Sequence, residues 1–351
     1  MPRVSVVIPS YNHARFIGEA VESVLGQSES DLELIVVDDG STDETPFILE
    51  RFSDPRLRVI LRDHAGAHAA INYGLRVSKG DYLAILNSDD VYHPRRLEKL
   101  LAILEKEKEI GLIGSFITVI DESGQYLGTK HAYKDLEPWE LPDASRGFRA
   151  TDDARGVLLT ENFYATTSNF LFRRALYEQV GEFRPLRYTH DWDFLLRSAQ
   201  VARLEMFPEP LLLYRLHKKN TIREDVVGMV FEICWCLAVH LPQHIMDAGW
   251  FDQELPARRV ERLLHSIYTF QCDLILVVML LRWLQGGMDW ALRLLDPDDP
   301  ERRVYLDFIT ARIQRERKKT PPYTLSLVHL LRILREKLRN VRCQCGNAVS
   351  Q

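Results

Sequence analysis

Between residues 4 and 120 the chain alternates two kinds of segment, a pattern few folds accept. The runs VSVVIP (4–9), LELIVVDD (32–39), RLRVILRD (56–63), YLAILN (82–87) and LIGSFITVI (112–120) are nearly unbroken in Val, Ile and Leu. Between them lie FIGEAVESVLGQ, TPFILERF, AHAAINYGLRVS and PRRLEKLLAILEKEKE, whose apolar residues recur at helical spacing. A strand with one face in water alternates apolar and polar residues; a strand covered on both faces has no need to. The pattern predicts an α/β protein with a mostly parallel, Rossmann-like sheet flanked by helices. In such sheets ligands bind beyond the carboxyl ends of the strands.

Two of these runs end on adjacent carboxylates: Asp38 and Asp39 close the second, and Asp89 and Asp90 follow the fourth. Neighbouring carboxylates repel, and burying one without a partner is costly. A lone Asp in such a place caps the next helix, as expected for Asp43 in GSTDETP. Two pairs at two strand ends point instead to a cationic or hydrogen-bond-donating ligand.

With 46% hydrophobic and 27% charged residues the chain has the make-up of a globular protein. Its net charge of −5 argues against a nucleic-acid partner. Five cysteines, an odd number, suit a reducing compartment, and no apolar leader separates Met1 from the first strand. The expected location is the cytoplasm, free or peripheral on the inner face of the cell membrane. Two apolar stretches, MVFEICWCLAVHL broken by Glu232 and CDLILVVMLLRWL bounded by Asp273 and Arg282, fall short of the roughly 20 residues a span needs. Both read as buried or interfacial helices.

Beyond residue 120 the pattern changes. DESGQYLG reads as a hairpin turn, 133–156 as a loop, 165–174 as a strand, 189–202 as a helix and 204–217 as extended; only helical patterns follow 224. At roughly 150 residues per domain two domains are expected. The boundary falls near 220, giving 1–220 (halves 1–120 and 121–220) and a helical extension, 221–351. In TLSLVHLLRILREKLRNVR, Leu327, Leu330, Leu331, Leu334, Leu338 and Val341 share one helical face with basic residues mostly elsewhere. Such a helix packs on its own domain or a dimer partner, or lies on an anionic membrane.

Five stretches, in order, carry a resemblance: VSVVIPSYNHARFIGEAVESVLGQ, VVDDGSTDET, KGDYLAILNSDD, TTSNFLFRRALYEQVGEFRP with HDWDFLLR, and LLLYRLHKKN. Over roughly residues 3–220 the chain resembles glycosyltransferase family 2, the inverting, nucleotide-sugar-dependent enzymes of GT-A fold. The resemblance implies transfer of a sugar from a nucleotide-diphosphate donor, UDP-linked, to a glycan or lipid-linked acceptor, as in polysaccharide and cell-envelope synthesis.

It also implies roles. A divalent cation, Mn²⁺ or Mg²⁺, neutralises charge on the departing diphosphate. By resemblance Asp90 is its ligand, with Asp89 sharing the ion or holding the ribose, and His217 a further candidate ligand beside Arg215 and Lys218. Asn87 stands where relatives carry Asp. Asp39 corresponds to the residue that reads the base, Asp38 supports the ribose or loop, and Pro9, Ser10 and Tyr11 pack against the base. Asn72 is expected to touch the nucleotide-sugar, although Ile71 replaces the usual Arg before it. Asp191 corresponds to the general base, preceded by His190 where relatives have an acid. At a helix N-terminus its anion is favoured and its basicity lowered. Trp192 belongs to the acceptor site or the core. Cys343 and Cys345 lack partners at zinc spacing.

The alternatives are a sugar nucleotidyltransferase, a dinucleotide-dependent oxidoreductase and a silent nucleotide-sugar-binding module. The first two want a glycine-rich loop after the first strand, and PSYNHARFIG has none.

Overall fold

The computed structural model describes residues 1–131, 136–137, 139–140, 158–159, 162–217, 225–247 and 273–319. Its strands are β1 (Val4–Ser10), β2 (Leu32–Asp38), β3 (Leu57–Leu61), β4 (Tyr82–Ile85), β5 (Val91–Tyr92), β6 (Ile110–Asp121), β7 (Tyr126–Lys130), β8 (Leu136–Glu137), β9 (Trp139–Glu140), β10 (Leu171–Arg173) and β11 (Arg203–Leu216). Its α-helices are α1 (Ile17–Leu25), α2 (Thr45–Leu49), α3 (Ala67–Val77), α4 (Arg96–Lys106), α5 (Arg174–Val180), α6 (His190–Ser198), α7 (Val226–Asp247), α8 (Asp273–Arg293) and α9 (Pro300–Lys319).

The main sheet runs β3-β2-β1-β4-β10-β6-β11-β5, with β7 on β6. From β3 to β4 all pairings are parallel. Beyond β4 the sheet is mixed: β10 is antiparallel to both its neighbours, β11 runs parallel to β6, and β5 is antiparallel to β11. This is an α/β fold of GT-A type with C-terminal helices.

The unbroken apolar runs have the origin expected of them. Along β1 successive side chains enter opposite core layers: Val7 packs with Ile35, Val37, Leu83 and Ile85, while Val4, Val6 and Ile8 pack with Leu34, Val36 and Ala84. Strand β3 differs, because it lies at the sheet edge. Leu61 is 61% exposed there.

The segment 165–174, read as one strand, pairs only at Leu171–Arg173; Thr167–Asn169 form a 3₁₀ turn instead. The Asn169 side chain explains this, donating to the Ser115 carbonyl and accepting from the Ser115 N–H and Arg96. Helix α6 ends at Ser198, four residues short of the expected end.

Helix α7 adds Phe231, Trp235, Cys236 and Ala238 to the core layer that holds Trp192, Phe194 and Phe183. Helix α8 buries Ile275, Leu276 and Met279 and exposes Leu274, Val277, Leu281 and Leu284. By length and composition it is apolar enough to cross a membrane. The amphipathic stretch 324–342, Lys218, Cys343, Cys345 and the expected loop 133–156, β8 and β9 apart, lie outside the described residues.

Candidate active site

The parallel registers Ser10↔Asp38 and Val7↔Ile85 bring the carboxyl ends of β1, β2 and β4 to one edge of the sheet. The two carboxylate pairs sit on that edge, and each pair divides. Asp39 accepts the N–H groups of Ala65 (2.9 Å) and Gly66 (2.8 Å), and His64 Nδ1 lies 2.8 Å from it. Gly40 makes this approach possible: at φ +80°, a Cβ there would meet the His64 nitrogen at 3.0 Å. Asp38 turns the other way, accepting the Ser41 N–H at 2.8 Å. Its second oxygen and the Ser10 hydroxyl are buried without a hydrogen-bond partner. Pro9 is paired within β1, and Tyr11, 42% exposed, stacks on His64 at 4.2 Å.

Asp89 and Asp90 diverge in the same way. Asp90 is buried, with one oxygen taking the Ser168 hydroxyl (2.5 Å) and the other the Arg215 N–H (2.9 Å). Burial, then the Asp89 charge, push its pKa well up. Asp89 instead meets His217 Nε2 at 2.8 Å. Burial pushes Asp89 up too, but the His217 hydrogen bond and the charges of His13 and His217 outweigh it, leaving its pKa below the ordinary value. His13, Asp89 and His217 bring their ligand atoms within 4.8 Å of one another. Of the acidic pair it is Asp89 that sits with the two imidazoles, while each Asp90 oxygen accepts one hydrogen bond from the scaffold. His13 was overlooked although it lies in SYNHARF; a single His in a loop carries no signal until β11 delivers His217 beside it.

Arg215 is engaged as well, donating to Glu19 (2.5 Å) and to the Asp89 carbonyl (3.0 Å). Asn87 donates to Thr166 (3.0 Å) and accepts from Thr167 (2.9 Å), tying the end of β4 to the 3₁₀ turn. The same turn reaches the expected base. Asn162 accepts the Ala165 N–H and donates to Asp191 at 2.7 Å, with Ala165 held at φ 68° between. Hydrogen bonds joined by the Ala165–Thr166 backbone therefore connect Asn87 with Asp191.

Asp191 is 8% exposed, and its other oxygen accepts the Trp192 N–H at 2.7 Å. Burial raises its pKa to about 6, against the Trp192 and Asn162 hydrogen bonds. This corrects the expectation of lowered basicity: at this helix N-terminus desolvation outweighs the dipole. His190 Nδ1 is buried without a partner, and burial lowers its pKa. Trp192 belongs to the core, donating to the Leu158 carbonyl at 2.6 Å.

Asn72, expected to touch the nucleotide-sugar, is engaged within the fold. Its amide donates to the Phe183 carbonyl (2.8 Å) and accepts the Phe183 N–H (2.9 Å), and it is 5% exposed. It staples α3 to the segment before α6.

Residues 5–181 match the family Glycosyl transferase family 2. The chain belongs to that family. Glycosyltransferase GlyG of Streptococcus pneumoniae is 35% identical over 239 residues, 66% of this chain and 75% of that protein. An uncharacterized glycosyltransferase of Rickettsia typhi is 30% identical over 223 residues, 63% of this chain and 66% of the relative, so the match spans about two thirds of that protein's length. In structure the chain is similar to S. aureus TarS 1–349 (TM-score 0.50, 16% identity, covering 92% and 93% of the two chains) and to TarS 1–349 in complex with UDP-GlcNAc (TM-score 0.51, 16% identity, 90% and 92%). At that identity the likeness speaks to fold alone. A glycosyltransferase of GT-A fold accounts for the strand order and for the acidic cluster at the sheet edge.

Proposed function

We propose that this glycosyltransferase moves a sugar from a UDP-linked donor to a glycan or lipid-linked acceptor in one inverting displacement, with Asp191 as general base. The observation that carries this reading is the Asp191 carboxyl: buried, raised to about 6, and tied through Asn162 and the Thr166 turn to the strand ends where a nucleotide-sugar would lie. A base poised near 6 is largely ionised at neutral pH yet basic enough to take a proton in the transition state. The Trp192 N–H and the Asn162 amide fix its two oxygens, and each keeps a lone pair. The acceptor oxygen attacks the anomeric carbon as its proton passes to Asp191, and the diphosphate leaves from the opposite face.

Asp39 and the Tyr11–His64 stack form the base-binding end, with Asp38, Ser10 and Pro9 supporting it. His13, Asp89 and His217 fit a divalent ion. Two imidazoles with one carboxylate favour Mn²⁺ over Mg²⁺, which prefers an all-oxygen shell. His13 Nδ1 is bonded to Ser88 at 2.7 Å, which fixes the orientation of the ring. Such an ion supplies positive charge to the departing diphosphate. UDP is the carrier that the resemblance to the family implies.

The test is a panel of nucleotide sugars with Mn²⁺, read as released nucleoside diphosphate, using wild type and Asp191→Asn. Turnover by the wild type, lost in the variant with UDP affinity kept, supports the reading. UDP binding without turnover of any donor marks a silent module, and a fully active Asp191→Asn overturns the base assignment.

A further inference from the structure

We propose that Glu232 and His240, both on α7 and outside the family match, are positioning residues that set the placement of Asp191. The inference rests on Asp191 being the base.

A helix N-terminus leaves backbone N–H groups without partners, and the residue before the helix commonly satisfies one with its side chain. Thr189 stands in that place for α6 and makes no such bond. A carboxylate from α7 holds the turn just before the helix instead. Glu232, 4% exposed, accepts three successive N–H groups: Arg187 at 2.8 Å, Tyr188 at 2.7 Å and Thr189 at 3.1 Å. Three N–H bonds converge on this one carboxyl, and they define the turn that leads into His190 and Asp191.

The second hold lies two residues past the base. Asp193 is fully buried and takes His240 Nε2 at 2.9 Å, Arg184 at 2.7 Å and Arg197 at 2.9 Å. Arg184 and Arg197 belong to the catalytic fold, whereas His240 reaches in from α7. The first turn of α6 is therefore gripped by α7 at its entry and again at Asp193. Packing between the grips is tight, with Phe231 and Trp235 in one core with Trp192 and Phe194. A shift of about 1 Å at a catalytic group costs on the order of 100-fold in rate, so a mobile entry turn would defeat the base.

The experiment uses the full chain with Glu232→Gln, His240→Leu and His240→Gln. Glutamine at 232 keeps one acceptor oxygen but sets an amide N–H against a backbone N–H. At 240, leucine removes the donor to Asp193 and glutamine restores one. Three readouts are taken: kcat on whichever UDP-sugar the wild type turns over, UDP affinity by calorimetry, and the ¹³C titration of the Asp191 carboxyl, which needs no substrate. Glu232→Gln and His240→Leu should lower kcat roughly 10- to 100-fold. UDP affinity should stay within about twofold, the Asp191 midpoint should move by about half a unit or more, and His240→Gln should recover most of the loss. Unchanged kcat and an unchanged midpoint in folded variants overturn the proposal, as does an equal loss in the two His240 variants, which would mean packing alone. If Glu232→Gln fails to fold, the His240 pair decides. Should Asp191→Asn prove active, the general-base reading fails; should it be inactive while these variants behave as wild type, only the positioning role fails.

Discussion

His217 Nε2 lies 2.8 Å from Asp89 Oδ2, although 128 positions separate the two in sequence. Strand β11 makes the meeting: it pairs Leu213 with Val91, and its Arg215 N–H is held by Asp90, so His217 arrives beside Asp89 in fixed register. One member of the acidic pair thus anchors the strand that brings a partner to the other.

The first prediction follows from that division of labour. Asp89→Ala and His217→Ala should each weaken Mn²⁺-dependent UDP binding at least about tenfold in calorimetry, since either removes a ligand. Asp90→Ala should instead lower the melting temperature, because it leaves the Ser168 hydroxyl and the Arg215 N–H without their acceptor. Mn²⁺-dependent binding that survives Asp89→Ala but not Asp90→Ala in a folded variant would return the ligand role to Asp90.

The second prediction concerns pH. With Asp191 raised to about 6, the ionised base is lost as pH falls through that value, so kcat should rise with pH and level off above about 7. Asp191→Asn should cost on the order of 100- to 10,000-fold in kcat and abolish the limb. An acid limb near 4 in the wild type would mean that burial does not dominate the site.

The same shift bears on stability, with the opposite sign from an ordinary paired carboxylate. A carboxyl raised in the fold binds its proton more tightly there than in the unfolded chain, so its contribution is fullest at low pH and disappears as pH rises through about 6. Roughly two units correspond to about 3 kcal/mol against the folded state at pH 8. Asp191→Asn should therefore melt higher than wild type at pH 8, with the gap about halved at pH 5 and closed only below about pH 4. A gap independent of pH would contradict the shift.

The strand and helix order was legible because sheet faces covered by helices leave unbroken apolar runs, and β1, β2 and β4 show them plainly. The location of the site was legible too, since carboxylates at strand ends are costly without a partner. What each carboxylate does was not. Asp89 and Asp90 are indistinguishable until Ser168, Arg215 and His217 arrive from distant segments. The structural engagement of Asn72 was hidden for the same reason: its partner, Phe183, is 111 positions away. The dipole argument at Asp191 considered only the local helix, whereas burial comes from the whole surrounding core.

Asn72 supplies a further test. Asn72→Leu leaves both polar backbone groups of Phe183 without partners in a buried setting, on the order of 3 kcal/mol of stability. UDP affinity should stay unchanged if the amide serves only to hold Phe183. A variant with normal melting but weakened UDP binding would restore the donor contact.

The last prediction concerns the helices beyond the family match. Phe231, Trp235, Cys236 and Ala238 complete the core layer around Trp192 and Phe194, and Trp235 is itself tied to the Ala291 carbonyl at 2.8 Å. Cutting the chain at residue 224 would expose the apolar faces they cover, at roughly 1.5–3 kcal/mol for each large side chain left in water. It would also leave three N–H groups before α6 without Glu232, and Asp193 without His240. Against a total stability of about 5–15 kcal/mol for a typical protein, those losses exceed what the remainder can absorb. Fragment 1–224 should therefore lack a cooperative melt and its near-ultraviolet dichroism while keeping much of its secondary structure. If the fragment instead melts sharply within a few degrees of the full chain, the extension is an independent unit and the α7 contacts do not support the catalytic fold.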